Sequence, residues 1–126
     1  MHNVELKARY QLFIGGRWKD SSDGRTFKTC CPADSSVLAE CAEATKEDVD
    51  EAVKAAWKAF ESWKHVTVNE RAAILNKIAD IIDANREHLA MVESLDNGKP
   101  IRETMTVDIP MSAQHFRYFA GCIMAD

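Results

Sequence analysis

The feature of this sequence that most constrains its fold is a change of hydrophobic period between residues 42 and 45. Residues 10–42 contain short β-favouring runs separated by glycine and proline, whereas from residue 45 onward apolar residues recur every three or four positions. The first pattern is typical of strands joined by turns, and the second is typical of amphipathic helices. The sequence therefore predicts an α+β chain, strand-rich over 10–42 and helical over 45–125.

Three or four short strands are predicted in the first segment. Two runs that contain apolar residues flank Gly15 and Gly16, and a glycine pair in this position is typical of a tight β-hairpin turn. Two further alternating runs follow, each bounded by turn residues. The predicted strands are 12–14, 17–19, 26–30 and 37–41.

Threonine caps are predicted for the first two helices. Thr45 precedes two acidic residues, and Thr67 with Glu70 forms a capping-box pattern. The first helix carries one apolar stripe: Val49, Ala52, Val53, Ala56, Trp57 and Phe60. Helices with such a stripe need a sheet or other helices to cover it, and no strand follows the helices within this sequence.

The later helices are defined by their ends. Asn85 is predicted to cap a third helix over 86–95, which ends where Gly98 can take a positive φ and Pro100 cannot continue the ladder. In the last helical pattern, Pro110 is predicted to kink the helix or to begin a new one. We expect residues 1–126 to form a single structural unit.

Composition excludes several classes of protein. Hydrophobic residues make up 46% of the chain and the net charge is −4, which is typical of a globular protein rather than a disordered one. No basic stripe indicates nucleic-acid binding, and no apolar run approaches the roughly 20 residues of a membrane span. The N-terminus has no signal-peptide pattern, so we expect a cytoplasmic protein without nucleic-acid or membrane partners.

The usual catalytic motifs are missing from the sequence. There is no glycine-rich dinucleotide or phosphate loop, no H-E-x-x-H and no G-x-S-x-G. The adjacent Cys30 and Cys31 lack the C-x-x-C spacing of zinc or redox sites, so structural thiols are favoured and a thiol-redox protein stays an alternative.

Two polar positions stand among structural residues. The turn at 95–100 contains Asp96 and Lys99, and its residue types are those of a helix C-cap. Asp108 lies among apolar residues just before Pro110. It could line a pocket, or it could be the N-cap of a helix that starts at Pro110.

Five blocks in fixed order carry a resemblance to a known family. They are LFIGGRW at 12–18, EDVDEAVKAA at 47–56, ERAAIL at 70–75, LDNGKP at 95–100 and FRYFAG at 116–121. Over residues 10 to 125 the chain resembles the N-terminal segment of NAD(P)-dependent aldehyde dehydrogenases. It is most similar to bacterial enzymes that act on acetaldehyde and related short aldehydes.

The resemblance implies a place in a larger enzyme. The segment would be part of an α/β, Rossmann-like nucleotide-binding domain of a homo-oligomer, a dimer or a tetramer. The intact enzyme would oxidise a small aldehyde to a carboxylate with NAD or NADP through a cysteine thioester. The nucleophile, the base and the nucleotide-binding glycines of such enzymes lie beyond residue 126. We therefore expect no catalytic or cofactor-binding residue in this chain, which alone would be inactive.

The resemblance also implies two peripheral sites. Val107, Asp108 and Met111 would line the substrate tunnel. Thr29, the backbone carbonyl of Cys30 and Asp96 would contribute oxygens to a K+ or Na+ site.

A second hypothesis is a non-catalytic module that binds a partner or the remaining part of such an enzyme. Its basis is the set of helical apolar stripes for which the sequence contains no covering sheet.

Overall fold

The computed structural model describes residues 4–125, and it confirms the α+β class. These residues form two compact units, residues 5–65 and residues 66–125 with Val4. The division falls after the first helix rather than at the change of hydrophobic period, because that helix belongs with the strands. The expected single unit over residues 1–126 stays a prediction.

Five strands form two small sheets in residues 5–65. In one sheet the last strand is central, parallel to the first and antiparallel to the fourth, and the second and third strands form a separate hairpin. The four predicted strands are present, and a fifth was missed because it is only two residues long. The strands are β1 Arg9–Tyr10, β2 Leu12–Ile14, β3 Arg17–Lys19, β4 Thr26–Cys30 and β5 Val37–Ala42.

The β2–β3 hairpin turns at the predicted glycine pair. Gly15 and Gly16 have φ of 59° and 80°, and two successive positive φ values belong to the tight turn whose twist matches the strands it joins. The rings of Phe13 and Trp18, paired across the hairpin, lie 4.8 Å apart between centroids. Glycine at both turn positions thus sets the register that brings the two rings together.

Helix α1, Lys46–Trp63, begins at a capping box. The side chain of Thr45 accepts from the backbone N–H of Asp48, and the Asp48 carboxylate accepts from the backbone N–H of Thr45. Ala55 of the helix lies next to the hairpin turn: a Cβ added at Gly15 would lie 3.8 Å from the Cβ of Ala55. Its larger apolar residues lie on another side of the helix.

Helices make up residues 66–125. Buried alanines let α2 and α5 approach closely, so this pair forms the main packing of the unit. The alanines are Ala72 and Ala79 on α2, and Ala113 and Ala120 on α5. The helical elements are α2 Val68–Ala84, α3 Arg86–Asn97, the single turn α4 Ile101–Glu103, a π-helical stretch Thr104–Asp108, and α5 Ile109–Ala125.

Asn85 stands at the N-cap position of α3, as predicted, but its side chain does not cap that helix. The side-chain amide of Asn85 donates to the carbonyl oxygen of Ile81 at 2.8 Å, and it makes no capping hydrogen bond to α3. Asn85 therefore closes the end of α2, because the last carbonyls of that helix lack partners of their own. At the other end of α3, Gly98 has φ of 78°, as its residue type predicted.

Pro110 is the second residue of α5, so the helix neither stops at it nor starts at it. The chain instead passes through the π-helical stretch Thr104–Asp108, and the backbone N–H of Ile109 donates to the carbonyl of Thr104, five residues back. Proline has no N–H and its ring crowds the carbonyl four residues earlier. The wider turn before it accommodates this local conflict.

None of the helices formed by residues 4–125 is long and apolar enough to span a lipid bilayer.

Candidate functional site

The π-helical stretch and the first turn of α5 carry the predicted tunnel residues. Val107 and Met111, four positions apart, keep 40% and 46% of their surface exposed. Both are large apolar side chains, for which such exposure is unfavourable in water. The structure therefore presents an open apolar surface at the predicted position, next to the turn that holds Asp108.

Asp108 is held by the turn that precedes the stretch. Its carboxylate forms an ion pair with Lys99 and keeps only 22% of its side-chain surface exposed. The hydrogen bond from Lys99 to Asp108 raises the pKa of Lys99 above its ordinary value. The cap alternative for Asp108 is wrong, because helical backbone continues through it into α5.

The ion pair joins two blocks that sequence reasoning treated separately. Lys99 comes from the turn at residues 95–100, and Asp108 comes from the stretch at 107–111. An ion-paired carboxylate beside exposed apolar side chains is the composition expected of the wall of a mostly apolar channel with few polar groups. The sequence placed Lys99 in a polar turn but did not predict its pairing with Asp108.

A buried threonine fixes the start of the same stretch. Thr104 is fully buried, and its hydroxyl is 2.9 Å from both the carbonyl oxygen of Ala90 and the hydroxyl of Ser94. These contacts attach the stretch to α3. Sequence reasoning missed Thr104, because a lone threonine in a helical pattern gives no signal of burial.

The predicted cation ligands come from two different units. Thr29 and Cys30 are the last residues of β4, and Asp96 lies exposed in the last turn of α3. The K+ or Na+ site therefore stays a prediction. Within residues 4–125 no group of three or more His, Cys, Asp and Glu side chains is placed to hold a metal ion.

The cysteines form no disulfide bond. Cys30 and Cys122 are exposed, Cys41 is half-buried and Cys31 is buried. Among the residues that the structure describes, none of the four is in a cluster that could bind a metal.

Asp48 is the most constrained acid of residues 5–65. Its side chain is 1% exposed, and it accepts from the backbone N–H groups of Thr45 and Ser22 and from the hydroxyl of Ser21. The two backbone hydrogen bonds are the main reason why the pKa of Asp48 lies well below its usual range. Asp48 thus ties the start of α1 to the turn at residues 21–24, a structural role rather than a catalytic one.

A cavity of about 530 Å³ lies at the junction of α2 and α3. Its charged residues have mixed sign, and Arg86 already pairs with Asp83 at 2.8 Å. The arrangement therefore selects no single charged ligand. The lining residues are 83–88 and Met105.

Comparison with known proteins places the sequence in one family. The sequence profile of the Aldehyde dehydrogenase family matches residues 18–126. Aldehyde dehydrogenase B of Escherichia coli K12 is 49% identical over 122 residues, which are 97% of this chain and 24% of that protein. Acetaldehyde dehydrogenase of Pseudomonas aeruginosa is 47% identical over the same coverage. This chain thus spans about a quarter of the length of these relatives.

Solved structures match the fold as well. The NAD+ complex of aldehyde dehydrogenase from Bacillus cereus matches with a TM-score of 0.87 and 43% identity, covering 94% of this chain and 26% of that one. An indole-3-acetaldehyde dehydrogenase matches with a TM-score of 0.91 and 33% identity, covering 96% of this chain and 28% of that one. On the match of sequence profile, relatives and fold, the chain belongs to the aldehyde dehydrogenase family.

Proposed function

We propose that this chain serves as the N-terminal part of an aldehyde dehydrogenase that oxidises a short aldehyde to the carboxylate with NAD or NADP. The observation that carries the proposal is 44–49% identity to bacterial aldehyde and acetaldehyde dehydrogenases over nearly the whole chain. In this proposal the segment belongs to a nucleotide-binding domain, and the nucleophile and base come from polypeptide beyond it.

The chain's own contribution would be to the substrate path. Val107 and Met111 would form part of the apolar wall of the substrate tunnel, and Asp108 would place one polar group in that wall. The ion pair with Lys99 supports this role, because it holds the Asp108 side chain in one position. An apolar wall with few polar groups favours a small aldehyde over its charged carboxylate product.

Cofactor contacts would come from elsewhere in the enzyme. NAD(P)+ supplies the hydride acceptor when it is bound. The chain has no glycine-rich phosphate loop, so we assign it no cofactor-binding residue. We propose K+ or Na+ binding by Thr29, the carbonyl of Cys30 and Asp96 as a separate, structural feature of the assembled enzyme.

We also propose a cytoplasmic location and a homo-oligomer, a dimer or a tetramer, for the assembled enzyme. Bacterial aldehyde dehydrogenases among the relatives support the location. Sedimentation of the assembled enzyme would test the oligomer, and a monomer would contradict it.

The test of the proposal is reconstitution. The 126-residue chain is co-expressed with the portion of Escherichia coli aldehyde dehydrogenase B that follows its matched segment. We expect acetaldehyde-dependent NADH formation from the purified pair and none from either part alone. A purified pair without activity would contradict the proposed function.

The second candidate function is a non-catalytic module that binds a partner. Exposed large apolar residues such as Trp57 and Phe119, 66% and 58% exposed, favour it. Light scattering and the binding of an apolar dye test this second function. A monodisperse, stable monomer that binds no dye would contradict the binding module.

A further inference from the structure

The turn that carries Lys99 is fixed on both sides of this residue. The backbone N–H of Lys99 donates to the side-chain oxygen of Asn97 at 2.8 Å. Gly98 before it has φ of 78°, and the ring of Pro100 after it restricts φ to −59°. Lys99 therefore projects from a rigid support, and its ammonium is held near one place.

The π-helical stretch sets the direction of Asp108. Thr104 and Ile109 are both buried, 0% and 8% exposed, although they lie five residues apart. Five residues of α-helix turn through about 500°, which would leave the two side chains about 140° apart around the axis. The wider π turn, closed by the bond from the N–H of Ile109 to the carbonyl of Thr104, lets both face inward. Asp108, within this turn, thus reaches Lys99 from backbone whose rotation two buried neighbours fix.

The ion pair compensates a carboxylate that is largely removed from water. The Oδ2 atom of Asp108 is buried, and the Lys99 ammonium is its charged partner. The hydrogen bond to Asp108 and, at longer range, the charges of Glu93 and Glu103 raise the pKa of Lys99. A partly buried carboxylate that loses its counter-charge is costly. Removal of the Lys99 ammonium would therefore leave this position negatively charged and without compensation.

This compensation determines which ligands the neighbouring surface suits. The pair lies beside the exposed apolar side chains of Val107 and Met111. A charged ligand that enters such a surface loses its hydration and finds no unpaired group of opposite charge. An uncharged ligand does not incur this loss, so the compensated pair favours uncharged ligands.

Resting on the proposed function, in which Asp108 lies on the substrate path, we propose that Lys99 is a specificity-determining residue: its ammonium compensates the Asp108 carboxylate and keeps the path selective for uncharged aldehydes. Without Lys99, the carboxylate would favour an aldehyde with a cationic group, whose charge takes the place of the ammonium. Lys99 acts through Asp108 and is a positioning residue, not a catalytic one.

The test compares two aldehydes that have the same shape and differ in charge. Betaine aldehyde carries a trimethylammonium group where tert-butylacetaldehyde carries an uncharged tert-butyl group. The enzyme is the 126-residue chain co-purified with the following portion of Escherichia coli aldehyde dehydrogenase B. The readout is the ratio of the apparent affinities for the two aldehydes. Affinity is taken from KM or, for an aldehyde that is not turned over, from its inhibition constant against acetaldehyde.

Four variants separate charge from structure. Lys99→Gln removes the ammonium, and Lys99→Arg retains a positive charge. A double variant, Lys99→Gln with Asp108→Asn, removes both charges of the pair. Lys77→Gln makes the same exchange at an exposed position of α2 and is the matched control. Circular dichroism of each chain checks that the helices are retained.

We expect Lys99→Gln to increase the affinity for betaine aldehyde relative to tert-butylacetaldehyde by about fivefold or more. Lys99→Arg, Lys77→Gln and the double variant should keep this ratio within about twofold of the unsubstituted pair. An unchanged ratio in Lys99→Gln would overturn the proposal. So would an increase that the double variant retains, because it would not come from the Asp108 carboxylate.

Asp108→Asn alone tests the same proposal in the opposite direction and does not depend on the folding of Lys99→Gln. It leaves the Lys99 ammonium without its partner, so the relative affinity for betaine aldehyde should fall below that of the unsubstituted pair. A ratio that is unchanged or higher would overturn the role of Lys99.

Failure of this proposal and failure of the proposed function give different results. A pair that oxidises acetaldehyde, but whose charge preference does not respond to Lys99→Gln, would uphold the function and overturn the role of Lys99. A pair that oxidises no aldehyde would contradict the function and, with it, this role. The ion pair is also tested without activity: in NMR titrations of the chain alone, Asp108→Asn should lower the pKa of Lys99. An unchanged pKa would overturn the compensation of Asp108 by Lys99.

Discussion

The buried hydroxyl of Thr104 donates to the carbonyl oxygen of Ala90, 2.9 Å away, and thereby joins the π-helical stretch to α3. The same hydroxyl lies 3.2 Å from the carbonyl oxygen of Ile101. With the single proton of Thr104 directed to a carbonyl oxygen, Ser94 donates in its 2.9 Å contact with Thr104. The start of the stretch that carries Val107 and Asp108 is therefore fixed by hydrogen bonds to a fully buried hydroxyl.

Removing this hydroxyl is expected to destabilise the fold. Thr104→Val keeps the shape but removes the buried hydroxyl that joins the π-helical stretch to α3 and takes this partner from the Ser94 hydroxyl, at a cost of about 1–3 kcal/mol in the free energy of unfolding. Urea denaturation measures the loss. The matched control is Thr106→Val, whose exposed hydroxyl bonds locally to the carbonyl of Arg102. Equal losses in the two variants would contradict the role of the Thr104 hydroxyl in joining the π-helical stretch to α3.

Two glycines of residues 66–125 should respond oppositely to alanine. Gly98 has φ of 78° at the end of α3, and Gly98→Ala should cost about 1–2 kcal/mol because a Cβ is disfavoured there. Gly121 lies within α5 with open space around an added Cβ. Gly121→Ala should therefore stabilise by about 0.5–1 kcal/mol through helix propensity. Thermal unfolding of both variants measures the two effects. A more stable Gly98→Ala and a less stable Gly121→Ala would contradict the conformations described for the two glycines.

The contribution of Asp48 to stability should depend on pH. Hydrogen bonds from the backbone of Thr45 and Ser22 lower its pKa from the ordinary value of 3.8. A carboxyl with a lower pKa in the folded state stabilises fully above its unfolded pKa, and this stabilisation is lost as the pH falls through the folded pKa. Asp48→Asn should therefore be less stable than the unsubstituted chain near neutral pH, and this gap should shrink below about pH 4.

Denaturant titrations at several pH values test this dependence. Asp50→Asn removes the same charge from an exposed position of α1 and is the matched control. If the difference in stability between Asp48→Asn and the unsubstituted chain stays constant from neutral to acid pH, the carboxylate charge is not what Thr45 and Ser22 bind.

Local signals in the sequence predicted most of the secondary structure. The glycine pair at 15–16, the capping boxes at Thr45 and Thr67 and the stop at Gly98 are each determined by neighbouring residues. Their positions could be read because their cause lies within one turn of the chain.

Features that depend on distant residues could not be read in this way. Strand β1 is defined by its pairing with β5. The side chain of Asn85 bonds to α2 rather than capping α3, because the last carbonyls of α2 are also in reach. The ion pair of Lys99 with Asp108 and the burial of Thr104 arise from the path of the chain around the π-helical stretch. No local pattern encodes that path.

The apolar stripe of α1 illustrates both outcomes. Its period correctly predicted the helix, and its residues were expected to need cover. In the structure Val49, Val53, Trp57 and Phe60 are 46–66% exposed. The sequence predicted this exposed apolar face but not the groove that Val53, Ala56, Trp57 and Phe60 line. The shape of a groove depends on side-chain positions, which the sequence pattern does not give.

The most direct test of the account is the rate of acetaldehyde-dependent NADH formation by the 126-residue chain, alone and co-purified with the following portion of Escherichia coli aldehyde dehydrogenase B. We predict NADH formation by the pair and none by the chain alone. Turnover by the chain alone, at a constant specific activity through successive purification steps, would contradict it, as would a stable pair that forms no NADH.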